Sequence, residues 1–339
     1  MSIEIKYCPG SLKEGYSTYS SAIIRRVFSG HKVSHILPFP SPEKEGPQQD
    51  KFFDNRKRIS ISGVQEKLSL VLDRNKLRLT EAGEQGQYIL KPIPRDIIKV
   101  SQVPANEHLT MQIAKQVYGI DAAENCLIFF EDFKPAYLVK RFDIKSDGSK
   151  YRQEDMASVA QKTKENAGED FKYEYDYFQL GSVLKKSVTA PEVEMEKFFK
   201  LVVFNYLISN GDAHLKNFSL LESDNGDYLL SPAYDLVCTR LHVNDSDMAL
   251  KVGLGEASFD HPSFSTLGYY AYDDFFDFAI KLGLMESRIH NIMEIMRKDH
   301  GEINQLISYS FLSEETKELY SKEYKNKLSR INTSLRKRI

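Results

Sequence analysis

The sequence predicts an α+β fold in two lobes, a β-rich N-terminal lobe over residues 1–140 and an all-helical C-terminal lobe over 141–339. Apolar residues first alternate in period two, with Leu68, Leu70 and Leu72 before a polar turn at 73–76 and Leu77 and Leu79 after it. That is the pattern of strands with one buried face. After Asp143 the apolar spacing lengthens to three and four, over 273–282, 286–298 and 302–311, the period of helices with one buried stripe. Between 204 and 238, Asp212, His214, Lys216, Asn217 and Asp235 stand among apolar runs. Such a stretch makes a poor core and a candidate active site.

Taken in order, the first 55 residues carry few signals. Residues 20–27 read as a short helix, 31–40 as an extended segment and 41–50 (SPEKEGPQQD) as a loop with neither period. His31 and His35 would share a face only on a helix, and no third ligand lies near them in sequence, which argues against a metal site. A strand is predicted over 58–61, the meander over 68–79 follows, and 88–91 forms a strand stopped by Pro92. Pro104 suits the first turn of a helix that puts Leu109, Ile113 and Val117 on one face and ends near Gly119. Residues 127–130 and 136–139 read as strands around a turn. An apolar helix over 195–209 precedes a polar loop, and a short hairpin then leads to Asp235. Ser313 is placed to cap a last helix that opens with Glu314 and Glu315.

Composition narrows the function classes. The 339 residues are 41% hydrophobic and 28% charged, with 46 basic and 48 acidic side chains and a formal net charge of −2. No overall field invites nucleic acid. Only 322–338 is biased, with seven basic residues against one acid, and a solvated helix face explains that run. Cys8, Cys126 and Cys238 are widely spaced, which argues for a reducing compartment and against a disulfide framework. The N-terminus shows no apolar signal segment, and no apolar run approaches membrane-spanning length. A cytoplasmic protein without a membrane partner is expected.

The loop from Gly211 to Asn217 carries the clearest chemistry. Gly211 can take the left-handed conformation that ends a helix sharply, which would leave Asp212 open to orient a hydroxyl. Asn217, five residues on, and Asp235, after the hairpin, can offer oxygen to a cation. Together they make the D-x-x-x-x-N pattern with a later acid that phosphoryl transfer uses. His214 is expected to support the loop. Lys216 either neutralises phosphate charge or is simply solvated. Upstream, Ser62, Gly63, Val64, Gln65 and Lys67 form a bend whose backbone amides can lie over phosphates, although one glycine makes a weak signal. Lys91 ends a strand and Glu107 follows on a helix, a pairing that recurs in kinases. Val139, Lys140, Phe142 and Asp143 are candidates for a hinge that meets adenine. Residues 153–156 (QEDM) add acids for substrate or form a solvated turn.

These blocks resemble the HipA-like serine/threonine kinases of bacterial toxin–antitoxin systems. The resemblance rests on Ser62–Lys67, Gln153–Met156, Asp212–Ser219 and Pro232–Asp235, with weaker support from Tyr88–Pro92 and Arg141–Asp143. It implies an ATP- and Mg²⁺-dependent protein kinase with a HipA-like bilobal fold. It implies Asp212 as catalytic base, Asn217 and Asp235 as metal ligands, and Lys91 on the phosphates. Members of the family phosphorylate an aminoacyl-tRNA synthetase and so arrest growth. They are held by a helix-turn-helix HipB-type antitoxin, through which alone they meet DNA, and they autophosphorylate in the loop matching Ser60 to Gly63. Only 57 residues precede Arg58, which resembles the short HipT-type toxin of three-component HipBST systems. That likeness implies a separate small HipS-type antitoxin and autophosphorylation at both Ser60 and Ser62. The alternatives are a small-molecule kinase of the aminoglycoside or choline type, or an autophosphorylated binding module acting as corepressor.

Overall fold

The computed structural model describes residues 5–42, 66–95, 97–256 and 258–336. The chain falls into two compact units, one of Met1–Ile113, Ala123–Lys150 and Glu302–Glu318, the other of Ala114–Ala122, Tyr151–Gly301 and Leu319–Ile339. The strand expected over 58–61 lies outside the described residues.

In the first unit, helix α1 (Ser21–Arg26) starts where the Ser20 hydroxyl accepts the Ile23 N–H at 3.5 Å. Strands β1 (Leu68–Asp73), β2 (Lys76–Leu79) and β3 (Tyr88–Lys91) come next, then helix α2 (Val103–Gln116), whose last three residues fall in the second unit, then β4 (Asn125–Phe129) and β5 (Pro135–Lys140). The strands form one antiparallel sheet in the order β2-β1-β3-β5-β4. Because successive side chains alternate in direction, the register Leu70↔Leu79, Leu72↔Leu77 and Leu68↔Leu90 stacks the leucines on one face. That face closes on Ile23, Val27 and Phe28. Each of these leucines but the partly buried Leu72 contributes roughly 1.5–3 kcal/mol by leaving water.

In the second unit, strand β6 (Gln153–Asp155) leads into α3 (Met156–Val159) and α4 (Lys164–Ala167). Helices α5 (Tyr177–Ser187) and α6 (Pro191–Leu207), the hairpin β7 (Ser219–Glu222) and β8 (Tyr228–Leu230), and α7 (Pro262–Leu267), α8 (Tyr272–Leu282) and α9 (Glu286–Arg297) follow. The chain closes with α10 (Gly301–Tyr309), which falls mainly in the first unit, and α11 (Glu314–Ile331), most of which falls in the second. Pro191 sits at the first position of α6 and Glu192 and Glu194 in its first turn, where a fixed φ and negative charge both favour a helix start. Eleven of its side chains are buried, from Glu194 through Leu207, so α6 is an internal helix.

The α+β class holds, with one correction: the C-terminal half is not all helical. β6, β7 and β8 form a three-stranded antiparallel sheet. The hairpin was legible, but β6 is Gln-Glu-Asp with two exposed side chains, and it joins the sheet through backbone pairing that leaves no apolar pattern. A second correction concerns the basic C-terminal run. Lys327 is buried and pairs with Asp247 at 2.5 Å, Arg330 reaches the same acid at 2.9 Å, and Arg336 pairs with Asp277. Of the cations in this run Lys327 is buried and Arg330 half-buried, whereas Lys322, Lys325 and Arg336 are exposed, so the solvated-face reading holds for part of it. Among the described residues, no helix is long and apolar enough to cross a membrane.

Candidate functional site

The polar loop of the second unit is held by its apolar members. Ala213, Leu215 and Phe218 are buried, which turns Asp212, Lys216 and Asn217 toward solvent between them. The end of α6 differs from expectation. Ser209, not Gly211, takes the left-handed conformation, with φ 53°. Gly211 is needed instead for close approach, since a Cβ there would lie 2.4 Å from Asp245 Cγ and 2.6 Å from the Ser246 carbonyl oxygen. Below the loop runs a relay of amides. Asn210 Nδ2 donates to Asn205 Oδ1 at 2.8 Å, and the Asp212 N–H donates to Asn210 Oδ1 at 3.3 Å. Sequence reasoning picks out neither asparagine as functional, although Asn205 interrupts an otherwise apolar helix.

Asp212 is 51% exposed. Its Oδ1 accepts a hydrogen bond from the Tyr173 hydroxyl at 2.6 Å. His214 is buried, with Nε2 3.8 Å from Asp212 Oδ1 and its ring edge-on to Tyr173. Burial lowers its pKa to about 4 against the pull of Asp212 and Asp235, which favours the neutral imidazole. Lys216 Nζ lies 3.7 Å from Asp155 Oδ2. Asp155 also caps α3 by accepting the Ser158 N–H, so the Gln153–Met156 block is a strand and helix start beside the loop rather than a solvated turn.

Asn217 and Asp235 come together, with Nδ2 donating to Asp235 Oδ2 at 3.4 Å. Asn217 Oδ1 accepts the His214 N–H at 3.2 Å, which fixes the amide plane. Asp235 itself adopts φ 55°, a conformation that costs most side chains energy and that aspartate tolerates better than they do. One carboxylate and one amide oxygen, both partly exposed, form a hard oxygen donor set. It suits Mg²⁺, which takes one or two protein oxygens and leaves the remaining positions to phosphate and water.

In the first unit, Lys91 Nζ and Glu107 Oε1 meet at 2.6 Å, each side chain 4% exposed. The ammonium also lies 5.4 Å from the centre of the Tyr137 ring. The expected strand–helix pair therefore forms. Lys67 is half-buried just before β1, while Ser60, Ser62, Gly63, Val64 and Gln65 lie outside the described residues. Val139 and Lys140 belong to β5, paired with Ile89 and Tyr88 of β3. The Lys140 N–H donates to Glu124 O and the Arg141 N–H to Gln87 O, so these two amides are committed within the sheet. Lys140 Nζ turns to Arg26 O and Ser29 Oγ. Asp143 accepts from Arg141 Nε and Nη2, and Phe142 stands between the two residues in sequence.

Residues 59–302 match the family model for the HipA-like C-terminal domain. A putative kinase of Haemophilus influenzae is 28% identical, covering 96% of this chain and 95% of its own. The serine/threonine-protein kinase toxin HipA of Shewanella oneidensis is 27% identical over 75% of this chain. This chain spans 59% of that relative's length. Among solved structures, a HipA of the same organism, in complex with HipB and operator DNA, superposes with a TM-score of 0.58. It is 21% identical and covers 86% of this chain and 66% of its own, a likeness of fold. With the family match spanning well over half its length, the chain belongs to the HipA-like kinase family.

Proposed function

We propose that this protein is a serine/threonine protein kinase that transfers the γ-phosphoryl group of ATP to a serine hydroxyl. The observation that carries the reading is the convergence of Asp212, Asn217 and Asp235 on one loop system, with Asn217 and Asp235 in contact at 3.4 Å. Asp212 accepts the proton of the attacking hydroxyl. Lys216 offsets charge that develops on the phosphoryl oxygens. Asn217 and Asp235 hold Mg²⁺, which when bound supplies the positive charge that phosphoryl transfer requires. Lys91, aligned by Glu107, takes phosphate oxygens. Ser62, Gly63, Val64, Gln65 and Lys67 cover the phosphates, and Val139, Lys140, Phe142 and Asp143 meet the adenine. On this reading residues 1–140, joined by Phe142 and Asp143, serve the nucleotide and the rest of 141–339 the catalysis.

The family's habits extend the reading to a target and partners. The substrate is an aminoacyl-tRNA synthetase, and Ser60 and Ser62 are autophosphorylated. A phosphate there adds about −1.5 to −2 charge beside ATP and so restrains the enzyme. A HipB-type antitoxin holds the toxin, as the HipB complex of the Shewanella protein supports. A small HipS-type antitoxin completes the system. The test is intact-mass analysis of wild type and Asp212→Asn after incubation with ATP and Mg²⁺. Wild type is expected to gain phosphate and the variant to gain none. Equal phosphate on both overturns the role of Asp212.

A further inference from the structure

The residue that reaches the proposed base is Tyr173, and nothing in the D-x-x-x-x-N pattern requires it. We propose that Tyr173 is a positioning residue, whose hydroxyl holds one oxygen of Asp212 so that the other is presented to the substrate hydroxyl. The proposal rests on the reading of Asp212 as base. The contact is short, with the phenol donating to Oδ1 at 2.6 Å. Among the described residues no donor reaches Oδ2. A carboxylate that is half exposed samples several rotamers, and each one away from the productive geometry lowers the rate. One oxygen clamped and one free is the arrangement a general base needs.

Tyr173 is itself braced, and this separates a clamp from a plug that merely fills the substrate's place. It ends a single helical turn, Phe171–Tyr173, where its N–H donates to Asp170 O at 2.8 Å. Its carbonyl accepts the Lys251 N–H at 3.2 Å and the Tyr175 N–H at 3.0 Å. The Lys251 ammonium pairs with Glu174 and, at 3.8 Å, with Asp170, which pins both sides of the turn. The ring stands edge-on to His214, centroids 5.2 Å apart, and the Lys172 ammonium lies 4.8 Å from its centre. Burial and the Asp212 carboxylate hold the phenol well above its usual pKa, so it stays a donor. The Lys251 brace belongs to the segment whose Asp245 and Ser246 abut Gly211, so clamp and loop share one support. A plug would have to leave on each turnover and break several of these contacts.

Tyr173→Phe removes one oxygen and keeps the ring. The initial rate of ADP release at saturating ATP is expected to fall roughly tenfold to a hundredfold, while calorimetric ATP–Mg²⁺ affinity stays within about twofold of wild type. Lys251→Met, which loosens the brace, is expected to lower the rate by less. An unchanged rate in Tyr173→Phe overturns the proposal. A faster rate overturns it in favour of a plug, and phosphate mapped to Tyr173 overturns it in favour of an acceptor. Loss of affinity equal to the loss of rate marks a structural role and overturns it as well. The parent reading is scored separately: activity that survives Asp212→Asn, or a wild type that releases no ADP, removes the base itself.

Discussion

Lys91 and Glu107 form an ion pair at 2.6 Å in which neither side chain is more than 4% exposed. Such pairs are costly to break from one side, because the remaining charge stays buried, by about 3–5 kcal/mol. Glu107→Gln should therefore lower the urea unfolding midpoint clearly, by a free energy in that range. The double variant Lys91→Met with Glu107→Leu should recover much of the loss, since apolar replacement of a buried pair is often neutral. Nucleotide binding should be lost in both. A stable Glu107→Gln single variant would show that water reaches the pair, and recovered ATP affinity in the double would remove Lys91 from the nucleotide.

How much of the fold and site is legible in the sequence depends on where each residue's partner lies. The β1–β2 hairpin is readable because its leucines alternate and every partner is within ten residues. The Asp212–Asn217 loop is readable for the same reason, its spacing being local. Strand β6 is not, because backbone pairing to Leu220 and Ser219 draws on residues 66 and 64 positions away and leaves no mark on Gln153, Glu154 or Asp155. Tyr173 meets Asp212 across 39 residues. Arg330 meets Asp247 across 83, and with so distant a partner its basic surroundings alone suggest solvation. Gly211 shows the subtler failure. A glycine is rightly expected there, but for a left-handed turn that Ser209 makes instead.

His214 should make stability depend on pH. Burial keeps its pKa near 4, whereas in the unfolded chain imidazole titrates near 6.5. Between those values the unfolded chain binds a proton that the native state refuses, so stability falls as pH drops from about 6.5 to about 4, by ~3 kcal/mol at most. Above about 6.5 the effect vanishes. His214→Gln should flatten this dependence, read as a smaller fall in melting temperature from pH 7.5 to pH 5. His108, also lowered to about 4 by burial, acts equally in both proteins and cancels. Parallel curves would mean that His214 is solvated.

Two substitutions at the end of α6 should move stability in opposite directions. Gly211→Ala drives a methyl into the Ser246 carbonyl oxygen at 2.6 Å, a backbone atom that cannot swing away, and should cost about 1–3 kcal/mol. Ser209→Gly relieves a left-handed residue at φ 53° and removes a buried hydroxyl that has no hydrogen-bond partner. It should gain up to ~1 kcal/mol. Urea midpoints measure both. If Gly211→Ala were neutral, the 245–246 segment would have to yield easily.

Asp235 allows charge to be separated from backbone. At φ 55° asparagine is as much at home as aspartate, so Asp235→Asn should leave the unfolding midpoint nearly unchanged, whereas Asp235→Ala should lose about 1 kcal/mol to strain. Both lack the carboxylate. In wild type, adding Mg²⁺ to chelator-treated protein should strengthen ATP binding at least about tenfold, the order that one well-placed charge contributes to phosphate binding. In Asp235→Asn that gain should shrink to near nothing while the fold stays intact, because Asn217 alone offers a single neutral oxygen. Calorimetric titrations of each protein, with Mg²⁺ and with chelator, decide the matter. A variant that keeps the full Mg²⁺ gain would move the cation away from the Asn217–Asp235 contact and leave that contact a purely structural hydrogen bond.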